Sequence, residues 1–277
     1  MFIPRVIVDG ADFATTYGAT LTGGWESLFS MPETKEPRQN DWYEEDGIEV
    51  DLEEELKPAP RKIRLRFAFD SGRGGGFLRM RNHYRAQLFE IEGFGKIRLR
   101  GVSATITKTL GGEVREAEIE FAEDKPGEFE TAGGQTEETF PSAVAIDGKP
   151  LASFGATDFG ETAETLHGRV EAKEPLTLQS RAVDGQITPE PKGAGRTVSV
   201  RAKEVTISLL FKAPTGEDLR GALWAFFKEM TKPGERTITH TALGEVAKGY
   251  YVGMECKDIA ITYDWFLMCE VRFRRTN

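Results

Sequence analysis

The chain has 277 residues, 39% of them hydrophobic, with 36 Lys and Arg against 45 Asp and Glu for a net charge of −9. This composition excludes a disordered chain. An acidic surface is also a poor grip on phosphate, which argues against a nucleic-acid binder.

The length suits about two domains of ~100–200 residues, each long enough to bury a core. The start, "MFIPRVIVDG", has no basic stretch before a long apolar run and reads as no secretory signal. No apolar stretch approaches the ~18 residues of a membrane span. "PRVIVDG" reads as a short strand closed by an Asp-Gly turn. "NDWYEEDGIEVDLEEE" reads as an exposed acidic loop or arm with a short strand at residues 48–52. In "RKIRLRFAF", Ile63, Leu65 and Phe67 alternate with Arg64, Arg66 and Ala68, the period of a half-buried strand. "FLRMRNHYRAQLFEI" predicts a helix over residues 78–89. "GKIRLRGVSATITKTLGGEVREAEIEFAED" predicts three strands, the last two joined by an "LGGE" turn.

"EDKPGEFETAGGQTEETFPSA" is rich in Gly, Pro, Thr and Glu and reads as a linker or extended arm. Beyond it, "EVTISLLFKA" is a strand and "GEDLRGALWAFFKEMTKPGE" a helix. Leu219, Leu223, Phe226, Phe227 and Met230 form its apolar face. "RTITHTAL", "KGYYVGMECKDIAITYD" and "WFLMCEVRFRR" are strands.

The second half echoes the first. "VDGADFATTYGAT" begins at Val8 and "IDGKPLASFGAT" at Ile146, 138 residues on (146 − 8). "TKEP" at Thr34 is answered by "AKEP" at Ala172, again 138 on (172 − 34). "KIRLRFAF" at Lys62 lies opposite "EVTISLLF" at Glu204, at 142 (204 − 62). A period this long exceeds the ~20–50 residues of a solenoid unit and predicts a duplicated domain. The expected division is 1–125 and 145–277, with 126–144 as linker or arm. Each part is expected to be a mainly β module, a barrel or sandwich, with one packed helix.

No residue is assigned a catalytic, cofactor-binding or metal role. His83, His167 and His240 lack metal-ligand spacing on one element. Cys256 and Cys269 form no CxxC, and they read as small core residues in a reducing compartment. "SGRGGGF" lacks the phosphate-loop Lys and its parallel context. The acidic stretch lacks the order of a calcium loop. "GYYVGMECKDI" offers an aromatic strand face that is either core, an inter-subunit contact or a sugar platform.

The Asp-Gly opening, "NDWYEEDGIEVDLEE" followed by "RKIRLRFAF", a helix and a Y-x-G strand resemble the tube-like domain of phage tail proteins. Within that group they are similar to the distal tail protein that joins tail tube to baseplate, in prophages of Bacteroides-type bacteria. "DLRGALWAFFKEMTKPGERTI" and "KGYYVGMECKDIAI" resemble the helix and returning strands of the same module. The resemblance covers residues 3–121 and 145–274. Many distal tail proteins carry a different, carbohydrate-binding-like second domain, whereas baseplate hub proteins carry two tube modules. Distal tail and hub both stay open. The resemblance implies a non-catalytic virion component with no cofactor. It implies a ring of itself, a hexamer or a trimer with pseudo-six-fold symmetry. Its neighbours would be the tail tube, baseplate hub and tape measure. DNA would only pass through, and no membrane would be engaged. The protein would sit in the virion tail after assembly in the bacterial cytoplasm. A carbohydrate- or cell-surface-binding module and a glycan hydrolase are the alternatives.

Overall fold

The Asp-Gly turn that the sequence predicts after the first strand forms, and Asp147-Gly148 makes the same turn in the second half. In the computed structural model, which describes residues 3–40, 48–70, 74, 85–129, 141–159 and 204–276, Asp9 and Gly10 have φ of 48° and 83°, and Asp147 and Gly148 have 51° and 75°. Two successive positive φ values define the two-residue hairpin turn that Asp-Gly favours. The turns join strands β1 (Val6–Val8) to β2 (Ala11–Asp12) and, in the second half, β10 (Val144–Ile146) to β11 (Lys149–Pro150). Each turn aspartate is anchored alike. Asp9 Oδ1 accepts from Leu88 N at 2.9 Å, and Asp147 Oδ1 from Thr237 N at 2.7 Å. The repeated "GAT" also has a local cause. The short helix α1 (Phe13–Tyr17) stops at Gly18, and the 3-10 turn Leu151–Phe154 stops at Gly155. Both glycines are left-handed. Each then leads into a short strand, β3 (Ala19–Gly23) or β12 (Ala156–Asp158).

The remaining strands are β4 (Gln39–Asn40), β5 (Glu49–Val50), β6 (Arg61–Phe69), β7 (Gln87–Ile91), β8 (Gly95–Leu110), β9 (Glu113–Glu123), β13 (Glu204–Ala213), β14 (Arg236–His240), β15 (Gly244–Ile261) and β16 (Trp265–Arg275). The long helix α2 (Gly216–Met230) lies between β13 and β14. The two large sheets run β2-β1-β7-β8-β9-β6-β3 and β11-β10-β14-β15-β16-β13-β12, the same order place for place. The registers agree as well. Val8 faces Phe89 as Ile146 faces Ile238, and Ile63 faces Phe121 as Val205 faces Phe273. β8 slips register between Gly101 and Ser103 and between Ile106 and Lys108. β15 slips between Tyr251 and Gly253 and between Cys256 and Asp258, each 150 residues on (251 − 101, 256 − 106).

Among the described strands, neither sheet closes into a barrel. The order ends at β2 and β3, or at β11 and β12. Between those end strands the chain turns through α1 or the Leu151–Phe154 turn, whose buried Phe13 and Leu151 fill the space that ladder bonds would close. The layering comes from the long strands instead. β8 pairs with β7 over residues 95–99 and with β9 from Arg100 onward. β15 divides in the same way at Gly249. A bulged strand that changes partner turns a sheet's corner. The two limbs then face each other, and Phe89 of β7 meets Phe121 of β9 with ring centroids 5.2 Å apart.

Two sequence expectations are corrected. Residues 87–91, expected as the end of a helix, form β7; Phe89 and Ile91 are buried in alternation, so the inward period is two. The rest of that expected helix lies outside the described residues, apart from residues 85–86. The stretch expected as three strands makes two, because β8 absorbs its irregularities as bulges and continues through them.

One cluster of buried side chains runs through both halves, from Val6 to Phe273. Gly216, the first residue of α2, marks how closely the halves approach. A Cβ there would overlap the carbonyl oxygen of Gly93 and lie 2.9 Å from its carbon and 3.0 Å from Trp265. In a free helix, Gly→Ala is worth up to about 1 kcal/mol of stability. Here Gly216→Ala is expected to cost about 1–3 kcal/mol through overpacking. A denaturant midpoint that moves down, not up, is the check.

Candidate assembly interface

The segment between β3 and β6 carries the first half onto the second. It begins at Gly24, whose φ of 76° starts the 3-10 turn Trp25–Leu28. A Cβ at Gly24 would run into the Arg64 carbonyl, so only glycine fits there. Buried Arg61 holds the end of this turn. It donates to the carbonyl of Leu28 at 3.0 Å, to the carbonyl of Ser30, and to the buried carboxylate of Glu123. The turn thereby aims two aromatic rings at Trp265 of β16. Trp25 stands edge-on to it at 6.1 Å, and Phe29 lies 5.8 Å away.

Beyond the turn the chain runs along β15. Ser30 Oγ accepts from Cys256 N at 3.1 Å. Tyr251 Oη donates to the Pro32 carbonyl at 3.2 Å. Thr34 N donates to Val252 O at 3.0 Å, and Thr34 Oγ1 to Tyr251 O at 2.9 Å. Val252 is the residue that the bulge takes out of register with β16. A bulge leaves one residue unpaired in the ladder, and here its carbonyl is taken by the arm. Glu33 and Glu36 pair with Arg272 at 2.6 Å and Arg274 at 3.1 Å.

The returning limb completes the grip. β4 pairs with β5. Leu52 and Leu56 bury themselves against Tyr250 in a small second cluster with Ile48, Val50 and Val252. Backbone bonds cross from Leu56 N to Thr231 O at 2.9 Å and from Gly234 N to Leu52 O at 2.8 Å. The acidic stretch, expected as a solvated arm, is therefore docked over its described part. Its carboxylates face water while two leucines face the second half. On the other side of the boundary, Arg220 of α2 lies over the Phe94 ring at 4.2 Å and donates to Phe94 O and Lys96 O at 3.0 and 2.8 Å. A cleft of about 640 Å³ opens beside it, lined by Arg5, Glu90, Glu92, Lys96 and Glu217 among others.

Tyr250 and Tyr251, candidates for a sugar platform, are both buried and belong to this contact. Cys256 and Cys269 stand directly opposite each other on β15 and β16. Cys269 is buried in the core. Burial pushes the Cys256 thiol up to about 12 and raises the Cys269 thiol too, so both are protonated at neutral pH. His240 lies on β14, and its Nδ1 accepts from Ala242 N at 3.2 Å. His83, His167, the "SGRGGGF" segment apart from Gly74, and residues 130–140 of the expected linker lie outside the described residues.

Among the described residues, no three His, Cys, Asp or Glu side chains are grouped to hold a metal ion. No described helix is long and apolar enough to cross a membrane. The described carboxylates with a resolved shift all sit below their ordinary pKa. Asp12 is lowered by the Arg5 hydrogen bond, and Asp124 by the Arg100 hydrogen bond. Burial pushes Glu120 and Glu229 upward, but Lys62 with Arg64, and Lys149 with Lys232, outweigh it.

No protein-family profile matches the chain, and no curated protein matches it. Among solved structures it aligns with the Dit (gp 19.1) protein of phage SPP1, described as a paradigm of the hub adsorption apparatus in phages infecting Gram-positive bacteria. The alignment covers 99% of each chain at 9% identity, with a TM-score of 0.33.

Proposed function

We propose that the protein is a non-catalytic structural component of a phage tail, a ring at the distal tail or baseplate hub. Its two halves are read as a tandem duplication of one tail-tube-like module, 1–125 and 145–277, joined by 126–144. One observation supports this above the others. Two sheets of equal strand order, with two matching register slips on β8 and β15, lie in one chain, and a long arm of the first clasps the second. A contact of this kind, repeated from subunit to subunit, would close a ring. The reading also rests on the resemblance of the quoted segments to prophage tail proteins. Six copies are preferred, and three copies with pseudo-six-fold symmetry are the other arrangement. The tail tube, hub and tape measure are its neighbours. DNA passes without specific binding, since a chain of net charge −9 repels phosphate. The protein works in the virion tail after assembly in the bacterial cytoplasm.

Electron microscopy of purified tails carrying a tag on this chain tests the reading. Label at the tail tip is expected. Label on the capsid, or virions without label, overturns it.

A further inference from the structure

The outer half of β8 is the first half's counterpart of the surface on β15 that receives the arm. The matching register slips set the equivalence: Gly101, Val102, Ala104 and Ile106 stand where Tyr251, Val252, Met254 and Cys256 stand. On β15 this surface is covered. Met254 is buried, Cys256 N is bonded to Ser30 Oγ, and Val252 O is bonded to Thr34 N. On β8 it is open. Val102 is 45% exposed, Ile106 49% and Leu110 65%.

Ile106 lies opposite fully buried Ala117, so the two share the inward face of the sheet. An inward-facing isoleucine half open to water marks a face still to be covered. Among the described residues, no backbone bond from outside the sheet reaches Val102 or Ile106. Inside the chain, the equivalent face is covered by the half that precedes it. The half that would precede β8 in such a series is the second half of another copy.

We propose that the outer half of β8, centred on Val102 and Ile106, docks the second half of a second copy of this chain, as β15 docks the first half within one chain. The contact is head-to-tail: the surface given differs from the surface received. A repeated contact of this kind closes into a ring or grows into a fibre. The inference deepens the proposed function by naming the surface on which copies meet, and it rests on that reading only for the setting.

The test places a photo-crosslinking amino acid at Ile106 and mixes the protein with an isotope-labelled, otherwise unmodified copy. Cross-links from position 106 to labelled peptides of residues 141–276 are expected. Cross-links confined to labelled peptides before Glu123 would mean a two-fold contact and overturn the proposal, as would a chain that never links to its copy. In sedimentation, Ile106→Asp is expected to weaken self-association by about tenfold or more with an unchanged melting temperature. Tyr263→Ser, at a fully exposed hairpin tip, is expected to leave both unchanged. Self-association as weak in Tyr263→Ser as in Ile106→Asp overturns the assignment of the face. Copies that link through Ile106 yet are absent from tails would remove the tail reading and leave this contact standing. Tip label without such links would do the reverse.

Discussion

Replacing Arg61 with leucine is expected to lower the free energy of unfolding by about 3–5 kcal/mol. The side chains of Arg61 and Glu123 are 7% and 3% exposed. Removing the guanidinium leaves the Glu123 carboxylate as a buried charge without its cation. It also strips a donor from the carbonyls of Leu28 and Ser30. Removing both charges in Arg61→Leu with Glu123→Leu is expected to restore part of the loss, because no buried charge then remains. The restoration is incomplete, since the two carbonyls keep no substitute donor and an unmet buried acceptor costs about 1–3 kcal/mol. Arg100 and Asp124 give the contrast. Their side chains are 36% and 46% exposed, and Arg100→Ala is expected to cost no more than about 1 kcal/mol. Guanidinium titrations of the three variants check the order. The Arg61 loss has a second readout across the halves. Leu28 and Ser30 lie either side of Phe29, so their release should loosen its contact with Trp265 and shift tryptophan emission. A loss no larger than that of Arg100→Ala would show that the buried pair is not what holds the turn.

The sequence carries the regular strands well and the joints poorly, for physical reasons. β6 and β13 fall on the expected spans because nine and ten residues of strict alternation leave one period possible. α2 is equally plain, with Thr215 accepting from Asp218 N at its start and an apolar face of full length. β7 was hidden because only two inward residues, Phe89 and Ile91, report its period, and they follow a run of good helix formers. The bulges were hidden because a bulge is a relation between two strands, and no single strand spells it. The docked arm left one local trace, Leu52 and Leu56 spaced four apart among carboxylates. Their partner Tyr250 is almost two hundred residues away, and spacing along the chain cannot name it. The interface aromatics were missed for the same reason: Trp25 and Trp265 each look ordinary until the fold sets them 6.1 Å apart.

Phe226→Ala is expected to cost about 3–5 kcal/mol, and the reason separates folding from assembly. The apolar face of α2 had two possible uses in the sequence, packing on its own sheet or meeting another subunit. Phe226 is fully buried in the lone chain. Its ring stands edge-on to Phe154 at 5.4 Å and to Phe211 of β13 at 5.7 Å. Both partners belong to the second half, so the face is spent on that half's own core. Truncating the ring loses its transfer energy and leaves a cavity walled by two aromatic rings that have little room to collapse inward. Leu223→Ala, also fully buried on α2, is expected to follow with about 2–5 kcal/mol. Ala225 faces water on the same helix, and Ala225→Ser is expected to stay within about 0.5 kcal/mol. Unfolding of the three variants by heat or urea gives the ranking. Phe226→Ala with wild-type stability and lost self-association would return α2 to the role of an assembly surface. Ile106→Asp should behave in the opposite sense, losing association and keeping stability, because Ile106 already stands half in water and has few contacts of its own fold to lose.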